Sequence, residues 1–376
     1  MFRNEIESKQ GGSSFTLKLL QWLHLDAYLL FGVLSLLAVG LGVVYSASNQ
    51  DMDLVTNKLV HMLLALLLML ALAQIPVSFL RFWSPIIYVV GVLLLVLVLA
   101  VGDVGKGAQR WLDLGIMRFQ PSEMMKLATP MMIAWFFSER VLPPGYKILA
   151  IAATLVLVPT MLIAKQPDLG TALLIFAGGF FVIFLAGISW RLLTGLVVTG
   201  AALMPVVWHF MHDYQRMRVI TFLNPERDPL GSGYHIIQSK IAIGSGGAYG
   251  RGWLNGTQSH LDFLPEQSTD FIFAVFGEEF GLIGAVLLLS LYVFVILRGL
   301  IIASEAQDTY GRLLGGSLSL IFFVYLFVNV GMVSGILPVV GVPLPLISYG
   351  GTSLVTLMAG FGMLMSINSH RRLWSR

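Results

Sequence analysis

Residues 270–297 read DFIFAVFGEEFGLIGAVLLLSLYVFVIL. From Phe271 to Leu297 the charged residues are Glu278 and Glu279 alone. At about 1.5 Å per residue this run is long enough, as a helix, to cross a hydrocarbon layer of about 30 Å. Outward from it the pattern recurs. Nine further apolar stretches lie at roughly 27–47, 58–75, 84–102, 122–138, 148–164, 169–188, 192–211, 314–336 and 347–368. Backbone in lipid must satisfy its own hydrogen bonds, and helices do so within one segment. The expected fold is therefore all-α: a polytopic integral membrane protein of about ten transmembrane helices, forming one membrane domain over residues 1–376.

Composition agrees. Hydrophobic residues make up 57% of the 376 and charged residues 11%, against about 25% charged in a soluble domain. Mean hydropathy is +0.83. This excludes a cytosolic globule, a disordered chain and a secreted disulfide domain. There are no cysteines, so thiol catalysis and Cys-based metal sites are excluded too. The net charge of +3 is spread over loops of both signs. It forms no nucleic-acid footprint, and no nucleic-acid partner is expected.

Ten spans put both ends on one side. Bases divide 12 to 11 between the two faces, and omitting the five bases of the long loop 213–269 makes it 12 to 6. Together with Arg371, Arg372 and Arg376, this favours cytoplasmic ends at 1–26 and 369–376. Residues 1–26 hold Arg3, Lys9 and Lys18 but no short apolar run before a cleavage site, so no cleavable signal is expected there. Acids lean outward, 12 to 6. The outer face thus carries a dense polar layer, most of it in loops 103–121 and 213–269. Residues 338–351, PVVGVPLPLISYGG, hold too many prolines and glycines for a regular helix yet no charge. Such backbone at membrane depth must be buried in protein or line a cavity. A re-entrant or lid-like segment is expected, with an ordinary outer loop as the alternative.

Candidate chemistry clusters on the outer side. Lys106, Arg110 and Arg118 sit in one short loop, and Glu123 and Lys126 share a face at i, i+3 where the next helix enters the membrane. They suit an anion clamp for a phosphate-bearing ligand; simple pairing among loop charges explains them equally well. Asp168 opens a helix, where capping competes with a substrate or cation contact. In loop 213–269, Tyr234, Ile237 and Ile241 fall on one helical face, and Gly244 to Gly252 form a glycine-rich turn able to offer N–H groups to phosphate. Asp270 lies where water meets lipid. Glu278 and Glu279, about 12–14 Å further along, are costly in a membrane and so are functional candidates, or supports for helix packing through hydrogen bonds or a buried cation pair. His209 and His212 are i, i+3, but no carboxylate pattern completes a metal site.

Several motifs occur in order: KGAQRWLDLGIMRFQPSE, QPDLGTA, MHDYQRMRVITFLNPERDPLGSGYHIIQSKIAIGSGG, FLPEQSTDFIFAVFGEEFG and GVPLPLISYGG. Together they resemble the SEDS family (shape, elongation, division and sporulation) over about residues 26–372. The resemblance implies ten transmembrane helices and polymerisation of lipid II into peptidoglycan strands on the outer face of the bacterial cytoplasmic membrane. It implies that Asp270 is the catalytic carboxylate. It also implies that Arg110, Glu123, Lys126, Asp168, Arg216 and Lys240 line the same cavity. A cognate class B penicillin-binding transpeptidase and an elongation complex with MreC and MreD are the implied partners. Gln267 and Ser268 stand before Thr269 where many relatives are expected to carry Arg-His or Gln-His, so no histidine assists at that place.

The chemistry fits. A sugar hydroxyl is a poor nucleophile near neutral pH, and a positioned carboxylate as general base helps it attack the donor's anomeric carbon. A pyrophosphate leaving group needs charge stabilisation rather than a proton donor. Cations would supply it, or a divalent ion such as Mg or Mn; no other cofactor is expected. A single displacement inverts the anomeric centre. The rival reading is a flippase or transporter for lipid-linked precursor, suggested by Glu278, Glu279 and the broken segment 338–351. A scaffold that only recruits wall enzymes is the third.

Overall fold

The computed structural model describes residues 24–105, 108–113, 118–211, 216–217, 220–222, 224, 232–257 and 266–369. Lys106, His212 and the basic residues of both tails lie outside them. Each apolar run is a helix. α1 is Ala27–Ala47, α2 Met52–Ala73 and α3 Val77–Val101. After a short ribbon come α4 Pro121–Ser138, α5 Tyr146–Lys165, α6 Leu169–Leu185 and α7 Trp190–Phe210. α8 Ser232–Gly246 precedes α9 Ile272–Ser304, α10 Thr309–Val333 and α11 Gly351–Ser369. α1, α2, α3, α5, α9, α10 and α11 are long and apolar enough to cross a membrane, and α6 and residues 190–206 of α7 are apolar but shorter. The protein is a multi-pass, all-α membrane protein.

Several boundaries differ from those expected. α2 begins at Met52 rather than 58, capped by Asp51, whose carboxylate accepts from the Asp53 N–H at 2.9 Å. Lys58 thus lies inside the helix. α3 begins at Val77 rather than 84, and α11 at Gly351 rather than 347. Loop 103–121 contains a small antiparallel ribbon, β1 Asp103–Gly105, β2 Ala108–Asp113 and β3 Arg118–Phe119, pairing Asp103 with Trp111 and Leu112 with Phe119.

α10 is the deepest helix, packed by α4, α6, α9 and α11. α1 packs on α9, α2 on α11, α3 on α4 and α5 on α6. α7 buries none of its described side chains. Asp26 ties one end of the bundle. It caps α1 through the Leu29 N–H at 2.8 Å and accepts from Arg298 at 2.6 and 3.0 Å and from Asn368 at 3.2 Å. The start of α1 and the ends of α9 and α11 therefore share one face. The ribbon, α8, turn 266–270 and segment 334–350 gather at the other.

α9 is interrupted. Gly281 has φ 64° and ψ −163°, which breaks the helical ladder at that turn. The glycine-rich turn after α8 repairs it. Arg251 and Gly252 N–H groups donate to the carbonyls of Glu278 and Glu279, both at 3.0 Å. Leu282 and Ile283 N–H groups donate to Gly247 and Ala248 carbonyls at 2.9 and 3.1 Å. Gly250, at φ 80°, lets the two backbones approach; a Cβ there would collide with the Glu279 carbonyl. The glycines suited to a phosphate cradle thus spend these backbone groups on closing a helix break.

Candidate functional site

The site is built on segment 334–350, where Gly335 and Gly341 take positive φ of 73° and 75° and no helix forms. Val342, Leu344, Leu346 and Ile347 are buried. Fixed hydrogen bonds hold this strap across turn 266–270. Tyr349 N–H donates to the Ser268 carbonyl at 2.8 Å, and Ser348 Oγ donates to the Thr269 carbonyl at 2.5 Å. Leu344 N–H donates to Ser348 Oγ at 2.8 Å, and Tyr292 OH to the Pro345 carbonyl at 2.6 Å.

Asp270 ends that turn and is partly buried. The helix it precedes has Phe271, not the aspartate, as its N-cap. Its Oδ2 faces Gly341: a Cβ built on that glycine would sit 3.4 Å away. On the strap's neighbouring residues lies the start of α6, where a Cβ on Gly170 would collide with the Val340 carbonyl. Residues 340–342 therefore lie close to both Asp270 and the start of α6 at Gly170.

Asp168 is buried and does cap α6, accepting from the Thr171 N–H at 3.3 Å. It also accepts from Gln120 Nε2 at 3.4 Å, with Arg110 Nε 3.7 Å from the same oxygen. Arg110 Nη2 donates to the Pro167 carbonyl at 2.5 Å. β2, α4 and α6 are thereby pinned together, and the Arg110 side chain stays 32% exposed.

Glu123 and Lys126 form a buried pair, Nζ to Oε1 2.6 Å. Lys126 also donates to Tyr325 OH at 2.7 Å, and Thr356 Oγ1 donates to Glu123 Oε2 at 2.9 Å. Asn329 lies one turn beyond Tyr325 on α10 and contacts the Asp270 backbone. α10 thus links the Glu123–Lys126 pair to Asp270. Lys240 on α8 is exposed and lies against Gly335, where a side chain would meet its ammonium end. The Arg216 guanidinium donates to the Trp208 and His209 carbonyls at 3.0 and 2.5 Å, closing the last turn of α7.

Glu278 and Glu279 are buried and structural. Glu278 Oε1 accepts from Thr257 N–H at 2.8 Å and Thr257 Oγ1 at 3.1 Å, with Arg251 at 3.8 Å. Glu279 accepts from Ser46 Oγ on α1. Among the described residues no group of three or more His, Asp or Glu side chains can hold a metal, so the residues present do not fit a resident metal centre.

Sequence reasoning missed three residues. Lys58 is 2% exposed and donates to the Gly40 carbonyl at 2.6 Å and to the Ile347 carbonyl of the strap. Asn329 is fully buried near the C-terminal end of apolar α10. His235 on α8 stacks on Phe271, ring centroids 5.5 Å apart, beside Asp270. A polar residue inside an apolar run was the available signal for Asn329; Lys58 stands at the edge of its run, and nothing local marks the third.

The arrangement presents a carboxylate and cations at one end of a lipid-embedded bundle. A family model for cell cycle proteins, FtsW, RodA and SpoVE, matches residues 18–373. The peptidoglycan glycosyltransferase MrdB of Escherichia coli K12 is 56% identical over 354 residues, 94% of this chain and 96% of that protein. A chain of a solved peptidoglycan synthase complex, described as coordinating polymerization and crosslinking, superposes with TM-score 0.81 at 35% identity, covering 93% of this chain and 98% of that one. The rod shape determining protein RodA of Thermus thermophilus superposes with TM-score 0.69 at 29% identity, covering 91% and 96%.

Proposed function

This chain belongs to the FtsW, RodA and SpoVE family and is a peptidoglycan glycosyltransferase, and we propose that it polymerises lipid II during rod-shaped growth with Asp270 as the general base. The observation that carries the site reading is the placement of Asp270: it ends a polar turn just before α9 and turns its carboxylate to a glycine of an apolar strap. A sugar headgroup can reach such a group while its lipid tail stays in the bilayer.

In this mechanism the Asp270 carboxylate takes the proton from the acceptor sugar hydroxyl as its oxygen bonds to the donor's anomeric carbon. The bond from that carbon to the undecaprenyl pyrophosphate breaks, and the configuration inverts. Arg110 and Lys240 keep exposed surface and meet the developing charge on the pyrophosphate. Lys126 is buried and already bound to Glu123 and Tyr325, so its part is to hold the floor of the cavity. We assign no step to a metal ion; a divalent cation, Mg or Mn, would enter with the phosphates.

The acids that suggested transport accept hydrogen bonds from Thr257 and from Ser46 of α1, so their burial no longer argues for a flippase. We place the protein in the bacterial cytoplasmic membrane with the Asp270 end outside. We pair it with a class B penicillin-binding transpeptidase and with MreC and MreD. The likeness to a chain of a synthase complex supports the transpeptidase.

The test is glycan chain formation from purified lipid II. The protein should polymerise it, and Asp270→Asn should lose about 10²–10⁴-fold while remaining folded. Activity within a few-fold of wild type would dismiss Asp270 and turn attention to Glu123 and Asp168.

A further inference from the structure

We propose that Asn329 is a positioning residue for the Asp270 carboxylate, acting through the strap. Its Nδ2 donates to two carbonyls at once, that of Asp270 and that of Val342, each at 2.8 Å. One planar amide thereby sets the spacing between the residue bearing the carboxylate and the residue beside Gly341, which the carboxylate faces. The donor is rigid because Asn329 is fully buried in α10, the most enclosed helix. Burying an amide in an apolar span costs free energy unless it is bonded, and both of its N–H groups go to these carbonyls.

Other bonds complete the clamp. Ser348 Oγ holds the Thr269 carbonyl at 2.5 Å and receives Leu344 N–H at 2.8 Å. Lys58, on α2, donates to the Ile347 carbonyl. The strap carries no charge and few regular backbone bonds of its own, so these side chains fix where it lies. A general base works only at hydrogen-bond distance, about 2.6–3.2 Å, from the hydroxyl it serves, and a shift of about 1 Å from that position can cost about 10²-fold.

This rests on the reading of Asp270 as the base. The experiment compares Asn329→Leu, Ser348→Ala and Lys58→Met with Asp270→Asn and with Ser317→Ala. Ser317 is buried on the same helix, donates to the Gly178 carbonyl at 2.8 Å, and does not touch the strap. Each purified protein is checked for a single gel-filtration species, and kcat and KM for lipid II are measured per folded molecule. Asn329→Leu should lower kcat about 10–100-fold with KM within about twofold, and Ser348→Ala and Lys58→Met should lower kcat in the same sense. Ser317→Ala should keep wild-type kcat. A purely structural role would reduce the yield of folded protein and leave kcat per folded molecule unchanged, which would overturn the proposal. If Asn329→Leu does not fold, wild-type kcat in both Ser348→Ala and Lys58→Met overturns it equally. Full activity in Asp270→Asn would fell the base itself; an inactive Asp270→Asn beside fully active strap variants would fell the positioning role alone.

Discussion

Asp270 Oδ2 and Gly341 face each other so closely that a β-carbon on the glycine would stand 3.4 Å from the oxygen. That is ordinary van der Waals contact, so the methyl of Gly341→Ala has room, and the strain of an alanine at φ 75° costs about 1–3 kcal/mol. The methyl group would occupy the space beside the carboxylate. Gly341→Ala is expected to fold and to lose most of its polymerising activity, read as glycan product per folded molecule. An active variant would show that the acceptor approaches from elsewhere.

Removing one partner of the Glu123–Lys126 pair strands the other in the bundle. Side-chain exposures of 13% and 5% make this a buried pair, where loss of one member costs about 3–5 kcal/mol. Lys126→Met and Glu123→Gln should each lower the unfolding temperature in detergent. The double variant should be less destabilised than the sum of the two. Additive effects in that cycle would mean that the pair is not coupled.

Arg110 bonds carbonyls of the α5–α6 corner with geometry that suits a guanidinium. Arg110→Ala should weaken polymerisation by about tenfold or more, since a charge-assisted bond contributes about 1.5–3 kcal/mol. Arg110→Lys should not restore it, because a lysine cannot reproduce the fork. Full rescue by lysine would reduce its role to charge alone.

Glu278 and Glu279 should tolerate loss of charge but not of their acceptor oxygens. Glu278→Gln and Glu279→Gln are expected to polymerise within about threefold of wild type. Glu278→Ala strips the acceptor from Thr257 and should lower thermal stability by about 1–3 kcal/mol. An inactive but fully stable Glu278→Gln would point to proton movement instead.

Orientation is open to direct labelling, because the chain has no cysteine of its own. Tyr249, 83% exposed, and Tyr146, 73% exposed, lie at opposite ends of the bundle. In intact spheroplasts, an impermeant thiol reagent should label Tyr249→Cys and spare Tyr146→Cys. The reverse pattern would put Asp270 on the wrong side for its substrate.

The fold was legible wherever one physical signal dominated. Apolar length alone found α1 to the residue and α9 to within one residue at its start. It failed where a charge sat inside a helix. Lys58 reads as a boundary until its two carbonyl partners are known, and those come from Gly40 and from Ile347, 289 positions away. The Glu123–Lys126 pair was legible because i, i+3 spacing is local. Its tie to Tyr325 and the tie of Asn329 to Asp270 were not, because no local pattern encodes which helices face each other. The glycine-rich turn misled for the same reason: its composition signals exposed N–H groups, and only the break at Gly281 shows what receives them.

That break changes what counts as the membrane anchor. At about 1.5 Å per residue, residues 282–304 alone reach about 35 Å, enough to cross the bilayer unaided. Residues 272–280 are not needed for crossing, and their junction would leave backbone groups unmet in lipid if they entered alone. Segment 247–252 precedes Gly281 by about 30 residues, and it supplies the partners those groups need. The run that reads as one over-long span is thus two pieces with separate duties. One is long enough to anchor the chain in the bilayer; the other is a plank laid against the loop that closes its end.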